Sequence, residues 1–367
     1  MNVLILSDVF TYSGVGNYMK FISSELYRGN HLVVMASSNV LRRDVDKGIK
    51  IIQIAEAKHV WWFIKDIRKI IVNYNIDVIH VNHRRPAANV LLYRLIFGKI
   101  PTVWTCHTVP YPNNIIKRLL GFYGDVSIAI SSEAYKWMHE ELKIKNNRLQ
   151  LIRNGVDEKE LICSNIVQKR AAKKQVLNQY WSIKDNMDDY IVIACHGRIS
   201  KEKGLDILID ALSKLANSYL SRIRVLCSGE QSGDYYDALT ESISHKGLSE
   251  NIRFVGWTKT NDILSACDLM VQPSRREGFP LSSVEAFFMK TPVIRTKTGG
   301  YEDMKEFCIG IDIDNTVQLC DELKNFIESP DHYSSMVENA YQWACDNCTI
   351  EIMTQKTLNA YEKAINC

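Results

Sequence analysis

The sequence predicts two α/β domains, each built on a doubly wound parallel sheet. Short, continuous runs rich in Val and Ile alternate with helix-length segments along the whole chain, as expected of parallel strands that helices cover on both faces. This alternation occurs twice, and a polar stretch rich in Lys, Gln and Asp, at about 165–189, separates the two series. The length of 367 residues agrees with two domains, because a single core rarely grows beyond about 250–300 residues.

Eleven runs have the length and composition of strands. They lie at 3–6, 32–35, 78–81, 102–106, 128–130, 149–152, 190–195, 223–227, 252–255, 269–272 and 292–295. The first domain is predicted to span 1–163 and the second 164–349. Ligands of such sheets bind in the loops that follow the carboxyl ends of the strands, so we expect the chemistry there, at a cleft that two facing sheets share.

The composition is typical of a soluble globular protein, with 46% hydrophobic and 24% charged residues. Charged residues interrupt the apolar stretches well before the roughly 20 residues that a membrane-spanning helix needs. The absence of a signal-peptide pattern predicts a cytoplasmic protein whose ten cysteines are reduced thiols. Cys345 and Cys348 form a CxxC pair, but no second pair stands at zinc-finger spacing, so we do not expect a metal site there.

Charge is distributed unevenly along the chain. Residues 1–155 contain 21 Lys and Arg against 11 Asp and Glu, whereas the remainder contains 24 against 31. A basic first half is compatible with nucleic acid, anionic lipid or a phosphorylated acceptor. Two segments, 61–71 and 115–120, mix aromatic or aliphatic residues with cations, as helices at an anionic membrane surface do, and as ordinary sheet-packed helices with outward Lys also do.

The first half contains two candidate binding features. Gly14 and Gly16 follow the first strand and open a helix, where small residues let the backbone approach a phosphate, although such a turn is often only a turn. His107 ends the strand at 102–106, where an imidazole can donate to a sugar hydroxyl or cap the next segment. His80 and His83 are placed similarly and more often serve structure.

The second half contains two cations on one strand-to-helix loop. Arg198 and Lys203 follow the strand at 190–195, within the sequence Gly197-Arg198 to Lys203-Gly204. Arg binds phosphate in a bidentate manner and Lys binds it as a point charge. The pair predicts a diphosphate site more strongly than it predicts an ordinary solvated turn.

Two glutamates surround the start of a helix in the second half. Glu277 precedes the helix and Glu285 lies inside it, about 2.2 helical turns away, so both can face one site. One carboxylate can accept both hydroxyls of a ribose, and the other can meet sugar hydroxyls or a developing positive charge. The stretch is otherwise apolar, which argues against a simple solvated face.

These stretches together resemble the retaining glycosyltransferases of family 4, which have the GT-B fold of two Rossmann-like domains. The resemblance covers nearly the whole chain and is most specific in its second half. The matching stretches are SGVGNYM, DVIHVN, Thr105–His107, AISS and LIRNGVD in the first half, and GRISKEKGLDILIDAL, IRFVGW, DLMVQPSRREGFPLSSVEAF and TPVIRTKTGG in the second.

The resemblance implies a role for each matching residue. Arg198 and Lys203 would bind the donor diphosphate, Glu285 the ribose, and Glu277 would lie beside the transferred sugar. The catalytic set would be these two cations with Glu277 and His107. The remaining implied donor contacts are Gly14, Gly16, Gly278, Phe279, Pro280 and Leu281.

The resemblance also implies the reaction. A hexose or N-acetylhexosamine would pass from a nucleotide-diphosphate sugar, by the family's habit a UDP-sugar, to a saccharide or lipid-linked saccharide in cell-surface polysaccharide biosynthesis. Anomeric configuration would be retained, with no metal ion, cofactor or nucleic acid involved. The helix at 350–367 would cross back onto the first domain, and contact with the inner face of an anionic membrane stays open.

Four departures from the family pattern bear on the donor. Ser13 replaces the first glycine of the usual glycine-rich turn, and Pro280 replaces a common glycine and removes one N–H donor. Tyr301 replaces the usual proline after the late Gly-Gly pair, and the usual Gly-x-Gly loop after the strand at 223–227 reads Ser228-Gly229-Glu230. Other readings of the same fold are a nucleotide-sugar epimerase or a phosphorylase. A reading of another class is a non-catalytic protein that binds sugar nucleotides.

Overall fold

The computed structural model describes residues 1–41, 44–107, 121–161, 166–229 and 231–367. These residues form two compact units. Unit 1 comprises Met1–Val156 together with Asn347–Cys367, and unit 2 comprises Asp157–Asp346. The predicted boundary at 163/164 falls outside the described residues, and the two units meet in the sequence between Val156 and Asp157.

Each unit is built on one parallel sheet. The strands are β1 Asn2–Phe10, β2 Leu32–Val40, β3 Lys50–Gln53, β4 Val78–Val81, β5 Thr102–Cys106, β6 Val126–Ala129, β7 Leu149–Leu151, β8 Ile191–His196, β9 Ile223–Ser228, β10 Ile252–Gly256, β11 Leu269–Gln272, β12 Val293–Thr296 and β13 Ile309–Ile311. In the described residues, unit 1 has the seven-stranded order β3-β2-β1-β4-β5-β6-β7 and unit 2 the six-stranded order β10-β9-β8-β11-β12-β13. Both orders reverse direction beside the first strand of the unit, as doubly wound sheets do.

Helices connect the strands. They are α1 Gly14–Arg28, α2 Val60–Asn73, α3 Arg84–Phe97, α4 Ser132–Glu140, α5 Ile166–Trp181, α6 Leu205–Leu212, α7 Asn217–Leu220, α8 Asp234–His245, α9 Thr260–Leu264, α10 Leu281–Phe288, α11 Tyr301–Met304, α12 Thr316–Glu328, α13 Ser334–Asn347 and α14 Ile350–Ile365. Short 3₁₀ turns lie at Asn146–Arg148, Glu158–Glu160, Met187–Asp189, Lys201–Lys203 and Pro330–Tyr333. Side-chain caps begin several helices: Ser13, Ser131 and Thr349 each accept from a backbone N–H of the first turn.

The sheet of unit 1 is covered on both faces. One face packs against α2, α3 and α4, and the other against α1 and the last helix, α14. A buried polar contact joins α14 to the sheet, because His80 bonds Tyr361 Oη through Nδ1 (2.7 Å) and Thr105 Oγ1 through Nε2 (2.6 Å). Both ring nitrogens are therefore satisfied, and burial lowers the pKa of His80 to about 3. This histidine serves structure, as its position in the sequence suggested.

The sheet of unit 2 packs α6, α8 and α12 over one face through aliphatic side chains such as Leu208, Leu239 and Leu323. The opposite face receives α10, whose Phe287 ring meets Trp343 of α13 edge to face. This packing fixes α10, the helix that carries Glu285, relative to the strand β11 that precedes it.

The prediction of two doubly wound parallel-sheet domains is confirmed. Two strands, β3 and β13, were missed, and both lie at the edge of their sheets. They have only four and three residues and are mostly half-buried or exposed, so the continuous apolar run that marks a central strand is absent.

No helix in the described ranges is both long enough and apolar enough to cross a membrane. Of the two cationic segments singled out in the sequence, 61–71 lies within α2. The other, 115–120, lies outside the described residues.

Candidate functional site

The loops after β8 and β11 in unit 2 bring most of the predicted site residues together. A shallow pocket opens at the carboxyl ends of these neighbouring strands. The β8 side of its lining includes Gly197, Arg198 and Lys203, and the β11 side includes Gln272, Pro273 and Ser274. The structure thus places both predicted phosphate-binding cations at one pocket.

A glycine allows the two loops to approach each other. Gly204 has a φ of 68° and precedes α6 directly. A Cβ at this position would overlap the carbonyl oxygen of Pro273. Only glycine satisfies both the left-handed backbone and the close approach, so the Lys203-Gly204 pair in the sequence fixes where the Lys203 loop lies.

An arginine that the sequence analysis missed ties the same loops together. Arg275 bonds both carboxylate oxygens of Asp206 (2.9 and 2.8 Å), the carbonyl of Lys201 (2.8 Å) and Asp314 (2.7 Å). Its own N–H donates to the carbonyl of Glu202 (2.7 Å). The Arg275 guanidinium therefore holds the 3₁₀ turn Lys201–Lys203 and the start of α6.

The charges around this guanidinium are balanced. Burial alone would raise the pKa of Asp206, but hydrogen bonds from Arg275 and Tyr235 together outweigh it and leave the pKa below its usual value. The pairing with Asp206 raises the pKa of Arg275 in turn. Asp312, two residues before Asp314, pairs with Lys297, so both carboxylates have cationic partners within the protein.

Lys203, which lines the pocket, forms an ion pair with Glu277. Lys203 Nζ lies 2.7 Å from Glu277 Oε1, and the Glu277 side chain is only 8% exposed. Gln272 Nε2, at the end of β11, donates to the same oxygen (3.2 Å). The first predicted carboxylate is thus held from two sides, by a charge and by an amide.

Arg198 differs from Lys203 in having a free side chain. It is exposed and makes no hydrogen bond or ion pair with any other described residue. An unpaired guanidinium beside an ammonium is suited to an anion with several oxygens, such as a diphosphate.

Glu285 lies on α10 and belongs to a short polar chain. Thr260 Oγ1 donates to Glu285 Oε2 (3.2 Å) and lies 3.1 Å from His196 Nε2. The threonine proton is used on Glu285, so His196 Nε2 is the donor to Thr260. Burial, strengthened by the Lys203 charge, lowers the pKa of His196 to about 4, so this imidazole is neutral and keeps its single N–H on Nε2.

The environment of Glu285 changes its ionisation. Burial raises the pKa of Glu285 to about 7, and the hydrogen bond from Thr260 opposes that rise only in part. A hydroxyl that enters the site and donates to this carboxylate stabilises it strongly, because each new hydrogen bond favours the charged form.

The turn between the two glutamates is mostly buried. Phe279, Pro280 and Leu281 are largely buried and Gly278 is half-buried. Pro280 begins α10 in an extended conformation, and its missing N–H is no loss there, since the first N–H groups of a helix have no intrahelical partner. The proline that departs from the family pattern therefore suits the structure.

The loop after β12 supports the same turn. Buried Arg295 donates to the carbonyls of Thr298 (3.3 Å) and Gly299 (2.9 Å). A Cβ at Gly299 would overlap the Glu277 carbonyl oxygen. The late Gly-Gly pair thus has a packing role against the Glu277 turn.

In unit 1 the predicted glycine turn forms the start of α1. Ser13 is the N-cap, and its hydroxyl accepts from Gly16 N (3.1 Å). A Cβ at Gly16 would overlap the Thr11 carbonyl oxygen, whereas Gly14 faces open space. The turn itself therefore requires glycine at position 16. The Ser13 hydroxyl accepts the Gly16 N–H, which would otherwise be available to a phosphate.

His107 is buried at the end of β5 in unit 1. Its Nε2 lies 2.9 Å from Asn82 Oδ1, and its ring meets Tyr18 edge to face, with centroids 4.8 Å apart. Burial, with smaller contributions from His83 and His80, holds the pKa of His107 well below its usual range. The imidazole is neutral, and the carboxamide oxygen of Asn82 fixes the proton on Nε2.

His83 lies at the end of the neighbouring strand. Its Nδ1 lies 2.9 Å from Ser7 Oγ, and burial lowers the pKa of His83. In the described residues, no group of three or more His, Cys, Asp or Glu side chains lies close enough to hold a metal ion. The roles assigned to His107, Gly14 and Gly16 stay predictions.

Sequence reasoning missed the residues that hold the site. Arg275 appeared as one cation in an Arg-rich turn, and nothing in one sequence shows which of Arg275 and Arg276 points inward. Gln272 offered a signal, because it is a polar residue at the end of an otherwise apolar strand. His196 and Asn82 likewise follow directly on apolar strand residues.

Two sequence-family models match the chain. The model described as Glycosyltransferase Family 4 matches residues 12–160, and the one described as Glycosyl transferases group 1 matches residues 181–343. Together they cover most of the chain. The O-antigen biosynthesis glycosyltransferase WclY of Escherichia coli is 25% identical over 303 residues, covering 78% of each protein. The lipopolysaccharide core biosynthesis mannosyltransferase LpsB of Rhizobium meliloti is 26% identical over 179 residues, 46% of this chain and 51% of LpsB.

Solved structures share the fold over the full length. A glycosyltransferase from Rickettsia africae superposes with a TM-score of 0.83 at 20% identity, covering 99% of this chain and 98% of its own. HepE from Anabaena, solved in complex with UDP, gives a TM-score of 0.81 at 18% identity, covering 99% of this chain and 100% of its own. At these sequence identities, the structural similarity establishes the fold alone.

Replacing Arg275 by Gln should destabilise unit 2. The change leaves Asp206 without its main partner and frees the Lys201–Lys203 turn, so we expect a loss of about 2 kcal/mol in the free energy of unfolding. Arg276→Gln is the matched control, because that neighbouring arginine is exposed and its ion pair with Glu202 spans 4.0 Å. Urea unfolding of both variants measures the difference, and equal losses would contradict the assignment.

The raised pKa of Glu285 predicts how stability changes with pH. The unfolded carboxyl titrates near 4.5 and the folded one near 7, so between these values the folded protein holds a proton that the unfolded chain has released. The contribution of this group is complete below about pH 4.5 and falls as pH rises to about 7. Glu285→Gln should therefore gain stability relative to wild type across this interval. Parallel pH curves from urea titrations of the unliganded proteins would show that Glu285 ionises normally.

Proposed function

Because the chain belongs to the group 1 glycosyltransferases and has the GT-B fold, we propose that it transfers a hexose or N-acetylhexosamine from a UDP-sugar to a saccharide or lipid-linked saccharide. The observation that carries this proposal is the pocket of unit 2, which Arg198 and Lys203 line. Glu277 is ion-paired with Lys203, and Glu285 is linked through Thr260 to His196, which also lines the pocket. Cations suit the diphosphate of such a donor and carboxylates suit its hydroxyls.

Each part of the nucleotide sugar is bound by residues of complementary charge. Arg198 and Lys203 bind the diphosphate, and Lys203 replaces its ion pair with Glu277, in part, by contacts with phosphate oxygens. Glu285, which has a raised pKa and accepts one hydrogen bond from Thr260 in the described part of the chain, accepts the ribose hydroxyls. Glu277 then accepts from a hydroxyl of the transferred sugar.

Similar proteins support the proposed donor and the proposed class of acceptor. HepE was solved with UDP and also with UDP-glucose, which supports a uridine nucleotide. WclY acts in O-antigen biosynthesis and LpsB in lipopolysaccharide core biosynthesis, which supports a place in cell-surface polysaccharide synthesis.

The proposed reaction retains the anomeric configuration and needs no metal ion. The bond from the anomeric carbon to the diphosphate breaks while Arg198 and Lys203 hold the departing charge. The acceptor oxygen bonds to the same face of that carbon and passes its proton to an oxygen of the departing diphosphate. Positioned cations in a partly enclosed site supply most of the acceleration. His107, neutral and fixed by Asn82, contributes a hydrogen-bonding group to the sugar.

Unit 1 also has a surface suited to an anionic membrane. At the start of α2, Trp61 and Trp62 are 70% and 63% exposed, and Lys65 Nζ lies 5.1 Å from the centre of the Trp62 ring. Exposed indoles beside cations are typical of helices that lie in the interfacial region of a bilayer. We therefore propose peripheral contact with the inner leaflet, where a lipid-linked acceptor would be reached.

The diphosphate assignment is tested by removing either cation. Thermal-shift screening with UDP-, GDP- and ADP-sugars first identifies the donor, and release of the nucleotide with product NMR then follows transfer. Arg198→Ala and Lys203→Ala should each lower the rate by about 100-fold or more, because the leaving charge loses a partner. Lys201→Ala, an exposed lysine of the same turn, is the matched control and should stay near wild type. Full activity in either cation variant would refute the assignment.

The membrane proposal is tested by vesicle flotation. Wild type should float with vesicles of phosphatidylcholine and phosphatidylglycerol more than with phosphatidylcholine alone, and added salt should weaken this binding. The double variant Trp61→Ser and Trp62→Ser should lose it, whereas Trp257→Ser, which removes a tryptophan 60% exposed in unit 2, should not. Equal flotation with neutral and anionic vesicles would count against the proposal.

A further inference from the structure

We propose that Gln272 is the positioning residue for Glu277 during sugar transfer, holding this carboxylate when Lys203 turns to the donor diphosphate. The proposal rests on the proposed function, because it assigns Glu277 to the transferred sugar and Lys203 to the diphosphate. Gln272 lines the same pocket, and the role assigned to it is exerted through Glu277.

Gln272 is anchored on both sides of its carboxamide. It is the last residue of β11 and is 5% exposed. Its Oε1 accepts from Ser283 Oγ (2.6 Å), and its Nε2 donates to Ser282 Oγ (2.9 Å) and to Glu277 Oε1 (3.2 Å). Because the Glu277 carboxylate, paired with Lys203, can only accept, the Nε2 end of the carboxamide must face it, which leaves Oε1 to accept from Ser283.

The two oxygens of Glu277 are used differently. Oε1 accepts from both Lys203 and Gln272, whereas Oε2 has no hydrogen-bond partner in the described part of the chain. A carboxylate offers about four acceptor sites, two on each oxygen. Oε2 is thus the oxygen available to a hydroxyl of the sugar, and the contacts on Oε1 decide where it points.

Only one of those two contacts is independent of the donor. A diphosphate carries more negative charge than one carboxylate and draws the Lys203 ammonium toward itself. The carboxamide of Gln272 has no net charge, and two serines of α10 hold it. When the donor is bound, Gln272 becomes the main restraint on the Glu277 side chain.

The kinetic consequence is a selective loss in the chemical step. Gln272→Met keeps the length of the side chain and removes its hydrogen bonds, so Glu277 adopts more rotamers. We expect kcat to fall about tenfold while the KM for donor and the affinity for UDP change by less than about threefold. The probes are UDP by calorimetry, and UDP release from whichever of UDP-glucose, UDP-galactose and UDP-N-acetylglucosamine wild type turns over fastest.

A double-mutant cycle separates positioning from a structural role. If Gln272 acts through Glu277, then Gln272→Met in a Glu277→Gln background costs little more than Glu277→Gln alone. Ser282→Ala is the matched control, because it removes another partner of the same amide and leaves the contact with Glu277. Its kcat should fall much less than that of Gln272→Met.

A second variant tests the same contact by pH. Gln272→Glu keeps the shape of the side chain but places a carboxylate beside Glu277, which raises the pKa of the pair. The acid limb of the kcat profile should shift to higher pH, an effect that general loosening of the fold would not produce. Strict additivity in the cycle, or an unchanged kcat in Gln272→Met, overturns the proposal. If wild type releases no UDP from any UDP-sugar, the proposed function fails instead.

Discussion

The Arg275 guanidinium ties the loop after β8 to the loop after β11, and the rest of the unit 2 site depends on that tie. Its bonds to Asp206 and to the Lys201 carbonyl hold the turn that carries Lys203. Gly204 permits the approach, since any side chain there would overlap the Pro273 carbonyl. Once the two loops are fixed, Lys203 meets Glu277 without further adjustment.

Several ionisable side chains of the site lack hydrogen-bond or ion-pair partners among the described residues. Glu277 has one oxygen without a partner in the described residues, Arg198 has no partner there, and burial raises the pKa of Glu285 to about 7. Groups in this state gain more from a ligand with matching charges and hydroxyls than fully paired groups would. Neutral His196 and Thr260 orient Glu285 without adding a positive charge, which would compete with the hydroxyls of the nucleotide sugar for the Glu285 carboxylate.

The fold could be predicted from the sequence because buried parallel strands are marked by continuous apolar runs. The prediction failed at β3 and β13, where edge position removes that signal. Placement of Arg198, Lys203, Glu277 and Glu285 in unit 2 followed from their positions after strands. Arg275 could not be found in this way, because its role depends on β8 and β11 being neighbours in space, which their order along the sequence does not reveal. The side chain of Gln272 bonds to its own loop and to the helix that follows, and the one signal for it was a polar residue at the end of an apolar strand. Gly16 was assigned to a ligand, yet its own turn already requires it.

The most direct test of the account is a crystal structure of the protein with UDP. In that complex the diphosphate should lie within hydrogen-bond distance of Arg198 and Lys203, and Lys203 Nζ should move away from its 2.7 Å contact with Glu277 Oε1. The Gln272–Glu277 hydrogen bond should remain in that complex. A diphosphate bound away from both cations, or an unchanged Lys203–Glu277 pair with UDP in the pocket, would contradict it.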